Sequence, residues 1–284
     1  MNLCDESTIR ALLERHGFHF SKSMGQNFLI DPEVPAHIAA SSEADSSCGV
    51  LEIGPGIGPL TAELAQRAGK VVSVELDRSL LPILAETMAE HPNVEIIPGD
   101  VMRLDLNTLV AEKFQGLRPI VCANLPYNIT TPVLTKFVET PAIETVTVLI
   151  QKEVAQRLAA PQGSADGGAF SLYLQYYMET SYLFDVPREK FLPSPKVTSA
   201  VLRCVRREKP PVEVADEAFF FKVIKGAFLL RRKTLANSLS AALPGMDKAA
   251  IAAAIAACGL PAAVRGEALT LADFAALSDA LTKA

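Results

Sequence analysis

From residue 48 to 150 the sequence alternates short runs of apolar, β-branched residues with stretches of helical pattern. This alternation is typical of stacked βαβ units, in which crossover helices connect parallel strands. Five segments have the composition of strands, namely 49–53, 70–75, 94–97, 119–124 and 145–150. The sequence therefore predicts an α/β fold with a mainly parallel, doubly wound sheet.

The sequence beyond this core predicts a hairpin and then a change of structural class. Segments 182–186 and 197–205 have strand composition and can pair as antiparallel neighbours at the end of the sheet. Beyond Pro210 and Pro211 the sequence becomes rich in Ala and Leu with helical periodicity. We therefore predict a first domain over residues 1–208 and a small all-α domain over residues 209–284.

Several protein classes are disfavoured by composition. The chain has no apolar run of about 18 residues, and its first residues lack the basic start and apolar stretch of a secretory signal. The five cysteines form no Cys-x-x-Cys pair, and there are only four histidines. We therefore expect a cytoplasmic protein with no membrane partner, no disulfide framework and no metal. We also expect a monomer, which composition does not address.

Charge is distributed unevenly along the chain. The formal net charge is −5, but residues 1–184 contain 12 Lys and Arg against 22 Asp and Glu, whereas residues 185–284 contain 15 against 10. Residues 187–233 alone contain 12 cations and five acids. Such a cluster is either a solvated basic face or a surface that binds phosphate groups.

A glycine-rich loop follows the first predicted strand of the sheet. Gly54, Gly56 and Gly58 let backbone amides approach a ligand at the start of a helix near Leu60. The dinucleotide fingerprint Gly-x-Gly-x-x-Gly is not satisfied, because Pro59 occupies its last position. A nicotinamide cofactor is therefore disfavoured.

Acidic residues occur at the ends of three successive predicted strands. Glu52 precedes the glycines and suits a ligand ammonium group, Glu75 can accept hydrogen bonds from both ribose hydroxyls, and Asp100 can accept one from an adenine amine. This series resembles that of class I S-adenosylmethionine-dependent methyltransferases, which have a Rossmann-like sheet. The residues predicted to bind this cofactor include Glu52, Gly54, Gly56, Gly58, Glu75, Leu76, Asp100, Val101 and Asn124.

The fourth predicted strand ends in Asn124-Leu125-Pro126-Tyr127. An exocyclic adenine amine is a weak nucleophile, because its lone pair is delocalised into the ring. An Asn carbonyl and a backbone carbonyl fixed before a proline can accept its two hydrogens, while a Tyr ring stacks on the extruded base. We therefore predict that Asn124, Leu125, Pro126 and Tyr127 are catalytic residues.

Nearly the whole chain resembles the ribosomal RNA adenine dimethyltransferases of the bacterial kasugamycin-sensitivity type. The segment from Ser23 to Leu29 is similar to the family's Gly-Gln-Asn-Phe-Leu segment, which implies that Gln26, Asn27 and Leu29 border the cofactor. The block from Phe191 to Ala200 is similar to Phe-x-Pro-x-Pro-x-Val-x-Ser-Ala, which implies that Phe191 packs against the target base. The segment from Arg231 to Asn237 is similar to the basic entry of the family's helical domain.

The resemblance implies an enzyme that uses S-adenosylmethionine, releases S-adenosylhomocysteine and dimethylates two adjacent adenosines near the 3′ end of 16S rRNA in an immature small ribosomal subunit. One alternative is an erythromycin-resistance type of methyltransferase that acts on 23S rRNA. Another alternative is a ribosome-assembly factor without activity. The helical domain is expected to bind RNA, and the cations predicted to contact it are Arg206, Arg207, Arg231, Arg232 and Lys233.

Overall fold

The computed structural model describes residues 1–20 and 26–283, and within them the chain forms nine strands. The β-branched runs that predict five parallel strands correspond to the second to the sixth of these. The strands are β1 (Phe28–Leu29), β2 (Cys48–Ile53), β3 (Lys70–Glu75), β4 (Val94–Pro98), β5 (Arg118–Asn124), β6 (Thr145–Gln151), β7 (Met178–Val186), β8 (Phe191–Leu192) and β9 (Ser199–Arg206).

Seven strands form one sheet in the order β4-β3-β2-β5-β6-β9-β7 across the described residues. Strands β2 to β6 pair in parallel, whereas β9 runs antiparallel to β6. All six residues of β2 are buried, as expected for a central parallel strand that is covered on both faces. Strand β7, at the sheet edge, alternates more and less exposed residues over much of its length. The predicted fold class is confirmed.

The helices of the structure include several that the sequence analysis did not predict. Helices α1 and α2 precede the sheet, and α7 and α8 separate β6 from β7. The helices are α1 (Glu6–Arg15), α2 (Glu33–Ser41), α3 (Pro59–Ala65), α4 (Leu81–Thr87), α5 (Leu106–Lys113), α6 (Thr130–Val138), α7 (Lys152–Leu158), α8 (Ala169–Tyr177), α9 (Glu217–Ala227), α10 (Leu235–Ala242), α11 (Lys248–Ala257) and α12 (Leu271–Thr282).

The chain divides into two compact units. The first unit contains Met1–Ala155 and Ser181–Arg206, and the second contains Gln156–Thr180 and Arg207–Ala284. The chain enters the second unit for the last time after Arg206, close to the predicted boundary after residue 208. Residues 156–180, which we placed in the first domain, also belong to the second unit. The physical cause is apolar packing, because Leu172 and Tyr176 of α8 are buried in one cluster with residues of α9.

The second unit is built around the amphipathic helix α9. The Asp216 side chain caps its start by accepting a hydrogen bond from the Phe219 amide at 2.9 Å. One face is apolar and buried, including Phe220, Val223 and Ile224. At Gly226 an added Cβ would lie 2.8 Å from the Ala242 Cβ, so a side chain there would force α9 and α10 apart.

Candidate active site

The carboxyl ends of β2, β3 and β5, together with the residues that follow β4, surround an open cavity in the first unit, with about 1200 Å³ of empty space when open solvent is included. Parallel strands place their carboxyl ends at one edge of the sheet, where open α/β sheets bind ligands. The predicted cofactor residues that line this cavity are Gln26, Asn27, Leu29, Glu52, Gly54, Gly56, Glu75, Leu76, Asp100, Val101 and Asn124. The start of the Ser23–Leu29 segment lies outside the described residues.

The glycine loop forms the turn between β2 and α3. Gly54 and Gly56 have φ of 67° and 63° and line the cavity. Gly58 is the N-cap of α3 with φ of 95°, and an added Cβ there would lie 2.6 Å from the Met88 Cε. Gly58 is not among the residues that line the cavity; it forms the left-handed turn and packs against Met88, and its part in cofactor binding stays a prediction.

Glu52 is a buried carboxyl group in the wall of the cavity, with a relative exposure of 1%. Its Oε2 accepts hydrogen bonds from the Thr61 and Ser73 hydroxyl groups, both at 2.7 Å. Burial raises the pKa of Glu52 to about 7. No ion pair within residues 1–20 and 26–283 involves Glu52, so the side chain suits a ligand that brings a positive charge.

Glu75 ends β3 and is 5% exposed. Its Oε1 accepts a hydrogen bond from the Asp77 amide at 2.7 Å, and the Gly56 amide also hydrogen-bonds to the carboxyl group. Burial raises the pKa of Glu75 to about 7. These amides orient the carboxyl group at the cavity wall, where it can accept hydrogen bonds from ligand hydroxyl groups.

The raised pKa of Glu52 predicts how stability depends on pH. A carboxyl whose pKa rises from 4.5 to about 7 on folding opposes folding as it ionises, so its contribution falls as the pH rises through that interval. A pKa that differs by one between the folded and unfolded chain changes the free energy of unfolding by about 1.4 kcal/mol. Replacing Glu52 with the isosteric, neutral Gln should therefore stabilise the protein relative to wild type more at pH 8 than at pH 5.

Urea unfolding of wild type and Glu52→Gln at both pH values measures this difference. Glu112→Gln, which changes an exposed carboxyl on α5, is the matched control and should show no such trend. A stability difference between Glu52→Gln and wild type that does not change with pH would contradict the proposed ionisation of Glu52.

Asp100 lies just after β4, where it lines the cavity and remains partly exposed. Its Oδ1 accepts a hydrogen bond from the Met102 amide at 2.9 Å, and Oδ2 lies 3.6 Å from Arg103 Nε. From α6, the Lys136 ammonium donates to the Met102 carbonyl at 3.1 Å. The turn from Asp100 to Met102 is therefore fixed by a bond within the loop and by a bond from α6.

The Asn124-Leu125-Pro126-Tyr127 segment leaves the end of β5 and lines the same cavity. Asn124 Nδ2 donates to the Asn27 carbonyl at 3.5 Å, which connects this segment to the N-terminal segment. The Leu125 amide donates to the Leu149 carbonyl of β6 at 3.1 Å. The structure thus brings all four predicted residues to the cavity that the three acids also line.

Phe191 lies in the apolar core of the first unit. It is 2% exposed, does not line the cavity, and belongs to an apolar cluster with Ile38, Val186 and Val201. In the β1–β8 pairing it lies opposite Leu29, which does line the cavity. The Phe191 ring therefore packs in the core of the first unit, and its contact with the target base stays a prediction.

The cations predicted to contact RNA fall into two groups. The Arg206 guanidinium donates to backbone carbonyls at and after the end of α6, including Phe137 at 3.0 Å and Ile143 at 2.7 Å. Arg207 donates to the Gln175 carbonyl at 3.1 Å and pairs with Glu179 at 2.8 Å. Both guanidinium groups have partners within their own unit, so their geometry favours a structural role over the expected RNA contact.

Arg231, Arg232 and Lys233 form the second group, which we call the basic loop. All three are exposed between α9 and α10, and no ion pair among the described residues involves them. The buried Ser238 hydroxyl accepts from the Leu230 amide at 3.0 Å and donates to the Gly226 carbonyl at 2.7 Å. These bonds fix the chain directly before the basic loop.

A family model described as ribosomal RNA adenine dimethylase matches residues 17–277. The chain belongs to the ribosomal RNA adenine dimethylase family. Two similar proteins are both named ribosomal RNA small subunit methyltransferase A. The protein from Streptococcus gordonii is 48% identical over 99% of this chain and 98% of its own length, and the protein from a Geobacillus species (strain WCH70) is 46% identical over 96% and 95%.

Two solved structures have a fold similar to that of this chain. The crystal structure of the 23S rRNA methyltransferase ErmE has a TM-score of 0.70 and 28% identity, and the alignment covers 90% of this chain and all of that chain. A dimethyladenosine transferase from Plasmodium falciparum has a TM-score of 0.70 at 22% identity, with 88% and 95% covered. The predicted enzyme class, an rRNA adenine dimethyltransferase, is confirmed by the family match.

Sequence reasoning missed several residues of the dimethylase cavity. Phe28, Asp77 and Asn128 line it, and Gln26 Nε2 donates to Asp77 Oδ2 at 2.7 Å. Asp77 follows the predicted Glu75 by two residues and could have been found as a second polar group at the end of β3. Phe28 lies within the recognised N-terminal segment, but its position against the glycine loop depends on tertiary packing.

In the part of the chain that the structure describes, no group of three or more His, Cys, Asp or Glu side chains is arranged to hold a metal ion. No helix in residues 1–20 and 26–283 has the length and apolar character required to cross a membrane.

Proposed function

We propose that this dimethylase transfers four methyl groups from S-adenosylmethionine to the N6 atoms of two adjacent adenosines in the 3′-terminal hairpin of 16S rRNA, within an immature small ribosomal subunit. The observation that carries this proposal is the single cavity lined by both the acidic series Glu52, Glu75 and Asp100 and the segment Asn124 to Tyr127. The relatives that are 46–48% identical are named for the small subunit, which supports that substrate.

The cavity residues fit S-adenosylmethionine, which when bound supplies a methyl group on an electrophilic sulfonium. Glu52 is buried without a cationic partner among the described residues and would hold the ligand ammonium group. Glu75, oriented by backbone amides, would accept hydrogen bonds from the ribose hydroxyls. Asp100 would accept from the adenine amine, with Leu76 and Val101 as apolar neighbours.

For the second substrate, the chain supplies acceptors and a stacking ring. Asn124 Oδ1 and the Leu125 carbonyl would accept the two hydrogens of the target amine and favour a pyramidal nitrogen. Pro126 fixes the backbone of that carbonyl, and the Tyr127 ring would stack on the flipped base. The residues that carry out this role meet at the end of β5, and no strong general base is required.

Glu75→Ala should weaken the binding of S-adenosylmethionine. Loss of an acceptor that bonds ligand hydroxyl groups should cost about 1.5–3 kcal/mol, because hydrogen bonds to charged groups have that strength. This cost corresponds to roughly a 10- to 150-fold increase in Kd. Isothermal titration calorimetry measures the Kd, with Glu112→Ala on the exposed face of α5 as a matched control. Wild-type affinity in Glu75→Ala would exclude the ribose assignment.

Neutralising the basic loop should weaken RNA binding in a salt-dependent way. Each lost phosphate contact should reduce the slope of log K against log salt by about 0.7–0.9, so Arg231→Gln, Arg232→Gln and Lys233→Gln together should reduce it by about 2–3. The affinity for S-adenosylmethionine should remain unchanged. Filter binding of small subunits over a salt series measures the slope.

The matched control for the basic loop removes three exposed cations elsewhere in the second unit, with the same change in net charge. It combines Lys248→Gln, Arg265→Gln and Lys283→Gln. If this control and the basic-loop variant lower the slope equally, total charge and not the basic loop determines binding. An unchanged slope in the basic-loop variant would show that its cations are only a solvated surface.

The 23S rRNA alternative is favoured by one observation, the structural similarity to ErmE. Incubating the chain and labelled S-adenosylmethionine with separated small and large subunits discriminates the two substrates. Label in 16S rRNA alone would support our proposal, and label in 23S rRNA alone would support the alternative.

A further inference from the structure

The Tyr127 hydroxyl has a partner that lies far away in sequence. It is 2.7 Å from the Ser199 Oγ, across 72 residues of chain. Tyr127 begins a short helical turn after Pro126, is half-buried, and lines the cavity. The hydrogen bond therefore joins a predicted catalytic ring to the Phe191–Ala200 block.

Ser199 is fixed by the sheet itself. It is completely buried and is the first residue of β9. In the antiparallel register it lies opposite Gln151 of β6, and next to it the Lys152 amide donates to the Thr198 carbonyl at 3.0 Å. Strand β6 also pairs with β5, where Leu149 lies opposite Asn124. Ser199 and Asn124 are therefore attached to one continuous hydrogen-bonded frame.

A hydrogen bond at this position restricts the orientation of the ring. A Tyr side chain has two main rotatable bonds, and its hydroxyl lies at the far end of the ring from Cβ. Anchoring that end as well as the backbone fixes the direction of the long axis of the ring and therefore the place of the ring in the cavity, which determines whether a base can stack on it. We infer that Ser199 is a positioning residue, which holds the Tyr127 ring in the orientation that captures the flipped adenine.

This inference rests on the proposed function and changes the role of the Phe191–Ala200 block. Phe191 packs in the core, whereas Ser199, eight residues later, reaches the cavity through Tyr127. It also gives the Tyr127 hydroxyl a role in positioning. Tyr127→Phe should therefore reduce activity even though the aromatic ring is retained.

A double-mutant cycle tests the inference on undermethylated small subunits. Tyr127→Phe and Ser199→Ala each remove the same hydrogen bond, and each should lower kcat/KM for the subunit about 3- to 10-fold. The double variant should be no worse than the more affected single variant, because both changes remove one interaction. The Kd for S-adenosylmethionine, measured by calorimetry, should stay within twofold of wild type in all three variants.

Thr147→Val is the matched control. Thr147 lies on β6, is completely buried, and its hydroxyl has no hydrogen-bond partner in the part of the chain that the structure describes. The variant loses a buried hydroxyl from the same sheet and should keep the wild-type kcat/KM. Thermal unfolding of every variant separates positioning from general destabilisation, which would weaken cofactor binding as well.

Wild-type kcat/KM in Ser199→Ala, or additive losses in the cycle, would contradict the inference. If Ser199→Ala does not fold, Tyr127→Phe alone tests the inference, because it removes the same hydrogen bond by a change at a half-buried residue. Wild-type kcat/KM in Tyr127→Phe would then overturn the inference. An inactive wild-type chain would contradict the proposed function and this inference together, whereas an active wild type with unaffected variants would contradict the inference alone.

Discussion

Asn124→Ala should lose most methyl transfer while it still binds both substrates. The side chain would accept a hydrogen from the adenine amine as the nitrogen becomes pyramidal, and a preorganised group of this kind contributes roughly 2.7–4 kcal/mol to the transition state. The loss corresponds to about two to three orders of magnitude in kcat. The hydrogen bond from its side chain to the Asn27 carbonyl is long, at 3.5 Å, so removing it should disturb the fold little.

The measurement is single-turnover transfer from labelled S-adenosylmethionine to undermethylated small subunits. Asn107→Ala, an exposed substitution on α5, is the matched control and should keep wild-type turnover. Calorimetry and filter binding should show that Asn124→Ala binds the cofactor and the subunit within a few-fold of wild type. Wild-type turnover in Asn124→Ala would show that the amide has no part in the reaction.

Phe191→Ala should destabilise the protein by about 3–5 kcal/mol, because truncating a buried Phe removes its apolar contacts and leaves a cavity. Phe191 is the first residue of β8, is 2% exposed and packs in an apolar cluster with Ile38 and Val201. Urea unfolding measures the change in the free energy of unfolding. Phe191→Leu keeps most of the side-chain volume and should cost less than Phe191→Ala.

The same pair of variants tests whether this side chain contacts the target base. If Phe191 stacks on that base, Phe191→Ala should lower kcat/KM for the subunit by more than tenfold with little change in stability. Such a result would contradict the core position. A large loss of stability in Phe191→Ala, largely restored in Phe191→Leu together with activity, would support it.

The sheet was predictable because its signal is local. Each parallel strand is a short run of β-branched residues, and the acids Glu75 and Asp100 occur where such runs end. Burial on both faces makes these runs nearly continuous in apolar residues, which separates them from the helical stretches between them. The order of the acids and the Asn124–Tyr127 segment along the chain therefore predicts that they share one cavity.

The features that were missed depend on contacts between distant residues. Strands β1 and β8 contain two residues each and pair across more than 160 positions, so no periodicity reveals them. The backbone carbonyls that bind Arg206 have no sequence signature, and a cluster of cations gives no information on which are already paired. Helix α8 joins the second unit because Leu172 and Tyr176 fit its core, which composition alone does not show.

Methyl transfer to isolated ribosomal subunits tests the central claim most directly. Small and large subunits from cells that lack this activity are incubated with the purified chain and labelled S-adenosylmethionine, and the rRNA is digested to nucleosides. We expect N6,N6-dimethyladenosine at two adjacent positions near the 3′ end of 16S rRNA, with four methyl groups per small subunit and none in 23S rRNA. A chain that binds small subunits but forms no dimethyladenosine would contradict the account.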